Sequence, residues 1–377
     1  MRCLAFLVLL ALCAGPSATA QTALPFLEIA PSELGGAGTA RPDVQTFVQN
    51  PAMLGLLARD TRAAASGTPT TDWLGELDYG SGSALVGARV GPLTVGLGAA
   101  RGELRGDARI LGDGTPYQPT DRYRALSIGV ATTGPVRGAL GVTGRHITTT
   151  DAPVFDGDRF NATELTGATA DVGAALAADV DALVALPAIG ALRPDAEVRA
   201  AYAQTHIAGT VQYSGFGPMP LPRTAALGWS ATAGLDLPLA SGALRLVEVD
   251  VSAQAERSLV RMASQSYDAV LGGLSPLRAL GGTGDEATTG RRGLRFVLAE
   301  TFAFSAGRYD GWGYNDVRTR SAELRAGGAL HLLAEALDHD ALNDLARHTD
   351  LRLGWVTTYA GTVEESTRAQ LTLVVGR

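Results

Sequence analysis

Val247-Glu248-Val249-Asp250-Val251-Ser252-Ala253-Gln254-Ala255-Glu256 puts every apolar residue on one phase and every polar residue on the other. A two-residue period is that of a β-strand with one apolar and one polar face. The preceding segment repeats it. Ala225, Leu227, Trp229, Ala231, Ala233 and Leu235 alternate with Thr224, Gly228, Ser230, Thr232, Gly234 and Asp236. Leu351, Leu353, Trp355 and Tyr359 do the same around Arg352, Gly354 and Thr358, and the chain ends on Ala369, Leu371, Leu373 and Val375 against Arg368, Gln370, Thr372 and Gly376. Weaker copies lie at 93–99, 126–130, 140–142 and 198–204.

Soluble sandwiches and membrane barrels both alternate in this way. Length separates them: these segments run to about 10 residues or more, as tilted bilayer spans require, where soluble strands average nearer 5 or 6. Their polar faces carry Gly, Ser, Thr, Gln, Glu and Asp, which predicts a wet interior. About thirteen strands can be placed. An unpaired sheet edge cannot survive in hydrocarbon, and single-chain bacterial barrels close with an even number, so fourteen antiparallel strands are expected. The chain has 47 glycines in 377 residues and only 18 % charged residues, yet no uninterrupted run of 18 apolar residues. That excludes a helical membrane protein as well as a disordered one.

Outward from the strands, the first residues read as an export signal. Met1 and Arg2 precede an apolar run from Leu4 to Ala14, and Ala18-Thr19-Ala20 suits signal peptidase. The expected organisation is a signal peptide over 1–20, a hatch over 21–60 without sustained periodicity, and an outer-membrane barrel over 61–377. Cleavage would remove Cys3 and Cys13, the only cysteines, together with any thiol chemistry. Every basic side chain other than histidine is arginine. Without Arg2, 30 arginines face 38 acidic residues, a net charge of −8 that disfavours nucleic acid as a partner.

Two stretches, 267–280 and 332–345, have helical spacing of leucines and are read as short helices in connections, where they would cap a barrel end or dock a partner. The polar stretches 106–122 and 149–163 are expected as extracellular loops. Gly35-Gly36-Ala37-Gly38 lacks the spacing of a dinucleotide loop. The histidines at 146, 206, 331, 339 and 348 show no metal-ligand spacing and read as rim or loop residues. His146 is the candidate for an outer-membrane lipid hydrolase, but no G-x-S-x-G accompanies it. Asp156-Gly157-Asp158 and Asp338-His339-Asp340 read as solvated turns. The expectation is a non-enzymatic protein with no metal and no cofactor. Glu248, Asp250, Ser252, Gln254 and Glu256 should line the lumen as an acidic stripe, read first as the wall of a water-filled interior and second as a surface favouring cationic solutes. Glu300 shares the phase of Leu294, Phe296, Leu298, Phe302 and Phe304, so a β-bulge should turn it into the lumen toward an arginine.

The opening resembles the PorV/PorQ family of outer-membrane proteins, itself similar to the FadL fatty-acid transporters. The residues that carry the resemblance are Phe26-Leu27, Gly35-Gly36-Ala37-Gly38 and Asn50-Pro51-Ala52, with Ala170-Asp171-Val172-Gly173, Pro220-Leu221-Pro222-Arg223 and Ala299-Glu300 further on. It implies a fourteen-stranded barrel with an N-terminal hatch carrying Phe26, Leu27, Gly35, Gly36, Gly38, Asn50 and Pro51. It also implies outer-membrane lipid as surroundings. A PorV-like protein would take exported proteins and secretion-system components of a type IX pathway as partners; a FadL-like one would pass hydrophobic small molecules such as fatty acids.

Overall fold

The computed structural model describes residues 37–377, except 74–76, 111–115, 119, 151–152, 157–158, 163–164, 209, 213–217, 221–222, 240–241, 262–265, 268–272, 312–313, 338, 361–362 and 377. Phe26, Leu27, Gly35, Gly36 and the expected signal peptide lie outside the described residues.

Fourteen long strands form one sheet in which sequence neighbours pair antiparallel throughout. They are β1 (Ala63–Trp73), β2 (Leu77–Val90), β3 (Leu93–Gly106), β4 (Thr120–Thr132), β5 (Val136–Thr149), β6 (Leu165–Asp179), β7 (Arg193–Ala208), β8 (Thr224–Leu239), β9 (Gly242–Ser258), β10 (Thr288–Leu298), β11 (Phe302–Gly311), β12 (Tyr314–Arg325), β13 (Thr349–Ala360) and β14 (Val363–Val375). β14 returns to β1, with Ala63 opposite Val375 and Gly67 opposite Leu371. The sheet is therefore closed, with Ala63–Gly67 and Leu371–Val375 making across the seam the lateral pairing that an open edge would leave unmade.

Register turns the alternation into a continuous outer band. Leu97 on β3 lies opposite Ile128 on β4, which lies opposite Val142 on β5, and the row continues to Val172 on β6. Across the barrel, Phe296 faces Phe304, and Leu353 faces Leu371. Leu97, Ile128, Val142, Phe296, Phe304, Leu353 and Leu371 are all exposed. A soluble protein does not present such a contiguous apolar surface, whereas a bilayer requires it. No helix among the described residues is long and apolar enough to cross a membrane. The spans are strands. The chain is a transmembrane β-barrel of the bacterial outer-membrane type.

Residues 63 and 375 mark the end at which the barrel strands begin and finish, taken as periplasmic. The opposite end carries the connections 107–119, 150–164, 209–223 and 259–287, as longer outer loops usually do, while the periplasmic end carries mostly short turns together with the longer connections 180–192 and 326–348.

The helical stretches differ from their sequence reading. The first shortens to one turn and a half, α3 (Pro276–Gly281), ended by Gly282 at φ 56°; 268–272 lie outside the described residues. It is folded against the outer wall. Leu274 and Ala279 cover Ala225, Ala255 and Leu259, and the Trp229 indole N–H donates to Leu280 O at 3.0 Å. The second is two helices rather than one, α4 (Ala326–Leu337) and α5 (Asp340–His348), in the periplasmic connection between β12 and β13. Two shorter helices complete the set, α1 (Ala52–Leu57) in the hatch and α2 (Val180–Leu183) between β6 and β7.

Candidate functional site

The hatch, residues 37–61, runs inside the barrel and is held along its length by the wall. Its helix α1 buries Ala52, Met53, Leu54, Gly55 and Leu56. Two apolar patches result. Ala40, Ala52, Met53 and Leu56 pack on wall alanines 131, 139, 175, 177 and 201, and Val44, Phe47, Val48 and Leu54 pack with Ala64, Leu85 and Val374. Close approach requires small wall residues. A Cβ added to Gly96 would strike Leu54 O, and one added to Gly129 or Gly141 would strike Pro51 backbone. The interior is thus apolar where α1 and its neighbours pack on the wall and polar elsewhere. Alternation marks this face as non-lipid; it does not distinguish a wall facing water from one facing a plug.

Polar anchors fix the rest. The Thr39 N–H donates to Gln254 Oε1 on β9 at 3.0 Å, and Ser230 Oγ on β8 donates to Ala40 O at 2.9 Å. Arg41 pairs with Asp250 on β9 at 3.3 Å. Gln45 Nε2 donates to Ser66 Oγ on β1 at 2.6 Å, and Thr94 Oγ1 on β3 donates to Gly55 O at 2.6 Å. Asn50 is fully buried: its Nδ2 donates to Thr39 O at 2.8 Å and to Tyr202 O on β7 at 3.4 Å, while its Oδ1 accepts the Ala52 N–H at 3.1 Å. Pro51 directly precedes α1 and lies against the glycines of β4 and β5. Gly38 donates its N–H to Gln49 Oε1 at 3.1 Å, which folds the hatch on itself.

Asp43, in the hatch, feels burial pushing its pKa up, but the Arg41 guanidinium, the Gln45 N–H and the more distant Arg352 and Arg295 outweigh it. Its carboxyl is held below the ordinary aspartate value.

Beneath the hatch, toward the periplasmic end, lies a cavity of 620 Å³ walled by arginines and carboxylates. Arg137 reaches Asp179 at 2.6 Å and Glu197 at 2.7 Å; Arg245 reaches Asp195 at 2.9 Å and Glu248 at 3.2 Å and also pairs with Asp236. Alongside, Arg295 and Arg325 share Glu323 at 2.8 and 2.5 Å. On the other side of the hatch a buried layer of arginine–tyrosine contacts faces the lumen. Arg145 lies over Tyr123, Arg291 over Tyr309 and Arg368 over Tyr79, with guanidinium carbons 5.3, 5.5 and 5.4 Å from the ring centroids. Arg145 also donates to Val48 O at 3.1 Å and pairs with buried Asp171 at 2.8 Å.

The structure places the β9 residues on one lumenal face but in three roles. Glu248 lines the chamber, Asp250 and Gln254 hold the hatch, Ser252 is buried, and Glu256 pairs with Arg291 at 3.2 Å above it. The stripe is matched by arginines and does not stand as a bare acidic wall.

Glu300 does reach the chamber, by a route other than the expected bulge. It sits in the turn Leu298–Thr301, closed by Thr301 N–H donating to Leu298 O at 3.0 Å, with Ala299 and Glu300 both left-handed at φ 50° and 45°. His331 on α4 approaches its carboxylate at 4.0 Å, and Arg295, Arg325 and Arg352 line the same chamber. Of the histidines, His206 is buried on β7 near its end and gives its backbone N–H to Asp171 at 2.9 Å, and His331 lies in the periplasmic connection, buried on α4. His146 stands exposed on the outer face of β5, opposite Arg124.

Sequence reasoning missed Arg145, Asp171, Arg137 and Arg245. Their signal was available as arginines and acids on the inward phase of strands, a placement costly unless they meet one another.

No family model matches the chain, and no curated protein matches it. Among solved structures, the CymD monoaromatic hydrocarbon channel is similar at a TM-score of 0.44 and 10 % identity, over 92 % of this chain and 96 % of that one. The Pseudomonas putida toluene transporter TodX gives 0.38 and 10 %, over 91 % and 95 %. The translocator domain of the autotransporter NalP from Neisseria meningitidis gives 0.37 and 10 %, over 84 % and 87 %. At these values the functional argument rests on this chain's own residues.

Proposed function

We propose that the protein is a non-enzymatic, hatch-gated outer-membrane channel, the FadL-like arrangement of the two suggested by its sequence, and that its solute is small and charged. The observation that carries this reading is the chamber beneath the hatch, whose walls present arginines and carboxylates in pairs. A carboxylate or ammonium group can exchange into such pairs at little loss, whereas an alkyl chain would strip water from them without replacement. Hydrogen bonds from the hatch to Gln254, Ser230 and Ser66 can be traded for water as the hatch shifts.

Planar-bilayer conductance and liposome swelling test it. The wild type should be nearly closed, and Gln254→Leu with Ser230→Ala should open it to amino acids and small dicarboxylates more than to neutral sugars. Equal, negligible permeation by all solutes in both proteins would overturn the reading.

A second reading, handover of exported proteins as the PorV/PorQ resemblance implies, is favoured by α4 and α5. They present Leu332, Leu333, Leu337 and Leu345 to the exterior at the periplasmic mouth. Crosslinking in intact outer membranes followed by mass spectrometry should then recover exported proteins that share a C-terminal domain; their absence would remove this reading.

A further inference from the structure

The outer face of β3, β4 and β5 changes from apolar to cationic along one register row. Arg101 lies opposite Arg124, and Arg124 opposite His146, with Gly82 of β2 and Ala168 of β6 at the two ends. Arg101, Arg124 and His146 are all exposed. Like charges directly opposite one another in a sheet repel. Nearer the outer loops the same wall supplies acids for its arginines: Glu103 takes Arg105 at 2.6 Å and Arg122 at 3.0 Å, and Asp78 stands opposite Arg105. The row itself is left without one. Among the described residues, no carboxylate forms an ion pair with Arg101 or Arg124.

Its depth gives the reason. One outward step toward the periplasmic end lie Ala99, Leu126 and Gly144, and the next step brings Leu97, Ile128 and Val142. Below the row the outward phase of these three strands carries no charged residue, continuing through Val95, Val130 and Leu140. The row therefore marks the top of the hydrocarbon band, at the end opposite the chain termini, where charge is tolerated and lipid headgroups begin. Leu126, 73 % exposed, stands as a ridge between Ala99 and Gly144, with a shallow groove on either side. The Arg101 side chain lies toward β2, its Nε 3.5 Å from where a Cβ on Gly82 would stand, which turns it away from Arg124. Guanidinium forks match phosphate oxygens in pairs, and a chain without lysine has only this cation to offer there.

We propose that Arg101 and Arg124, with His146 at the β5 edge of the site, bind a phosphate group of an outer-leaflet lipid whose acyl chains lie in the grooves flanking Leu126. The phosphate brings the counter-charge that the sheet supplies to Arg105 and Arg122 but not to this row. The site belongs to the lipid face and is separated by the wall from the hatch and the chamber, so the inference does not depend on what the lumen carries.

The test uses the full-length barrel in detergent with three probes: bis-phosphorylated lipid A, the same lipid without phosphates, and inorganic phosphate. Binding is read by native mass spectrometry across a salt series. The wild type should retain the phosphorylated lipid, R101Q/R124Q should bind it about tenfold less tightly, and added salt should weaken the wild type. Arg89→Gln, which removes an exposed arginine at the periplasmic end of β2, should bind as wild type. Heat-dependent gel mobility checks that the barrel has folded; if the double variant does not fold, R101Q and R124Q singly should each weaken binding. Equal retention of the phosphate-free lipid, unchanged affinity in the folded variants, an equal loss in Arg89→Gln, or competition by inorganic phosphate at equal concentration would overturn the proposal, the last by showing a free-anion site.

Discussion

Asn50 in the hatch occupies the space that a side chain on Gly173 of β6 would need: a Cβ built on Gly173 collides with Asn50 Oδ1. Two short motifs, 120 residues apart in the chain, are thus two halves of one contact. Gly173→Val should force the Asn50 amide out of its bonds to Thr39 and Tyr202 at a cost of about 1–3 kcal/mol. The barrel should still show its heat-dependent gel shift while the hatch becomes cleavable by trypsin at Arg41; a hatch that stays protected would contradict this seating.

Asp171→Asn leaves the Arg145 guanidinium buried without the carboxylate 2.8 Å away. Breaking one side of a buried pair is the costly case, about 3–5 kcal/mol. Urea unfolding of the barrel in lipid vesicles should show that loss. Arg145→Met should destabilise by a similar amount, because it leaves the Asp171 carboxylate buried with the His206 N–H at 2.9 Å but without the guanidinium, whereas Asp171→Asn combined with Arg145→Met, which removes both charges, should cost less than the sum of the two.

The hatch should respond to acid through Asp43. Its pKa is depressed in the folded protein, so its contribution to docking is fully present above the unfolded aspartate value near 3.9 and is lost as the pH falls through the lower, folded value. Conductance should therefore stay low from neutral pH down to about 4 and rise in more acid solution. Asp43→Asn should remove part of that acid limb; an identical pH profile in the variant would show that other groups carry it.

The turn at Ala299 and Glu300 holds two non-glycine residues in the left-handed region. Such a turn matches strand twist but favours Asn and Gly, and each other residue pays about 1–2 kcal/mol. Ala299→Gly should raise stability by about 1 kcal/mol in the same urea assay, without changing conductance, since the Glu300 side chain stays at the chamber.

The alternation in 224–236, 247–256, 351–359 and 368–376 sufficed to read an antiparallel barrel of fourteen strands, because lipid on one side and a different environment on the other impose a strict two-residue period. It also placed Glu248, Asp250, Ser252, Gln254 and Glu256 on one face. It could not divide them into chamber lining, hatch anchor and upper-lumen partner, since that division depends on where the hatch passes. The helix pair in 326–348 escaped because leucine spacing does not show a break in direction, and Glu300 escaped because a tight turn interrupts the phase from which its direction was read.

By itself, then, the sequence determined the closed sheet and the side each strand turns to the lipid: periodicity is a local property, written in consecutive residues. Only the tertiary structure decided that Asn50 meets Gly173, that Arg145 meets Asp171, and that Arg101, Arg124 and His146 stand in a row. Those meetings depend on strand register and on the path of the hatch, and both are set by pairing and packing between segments far apart in the chain.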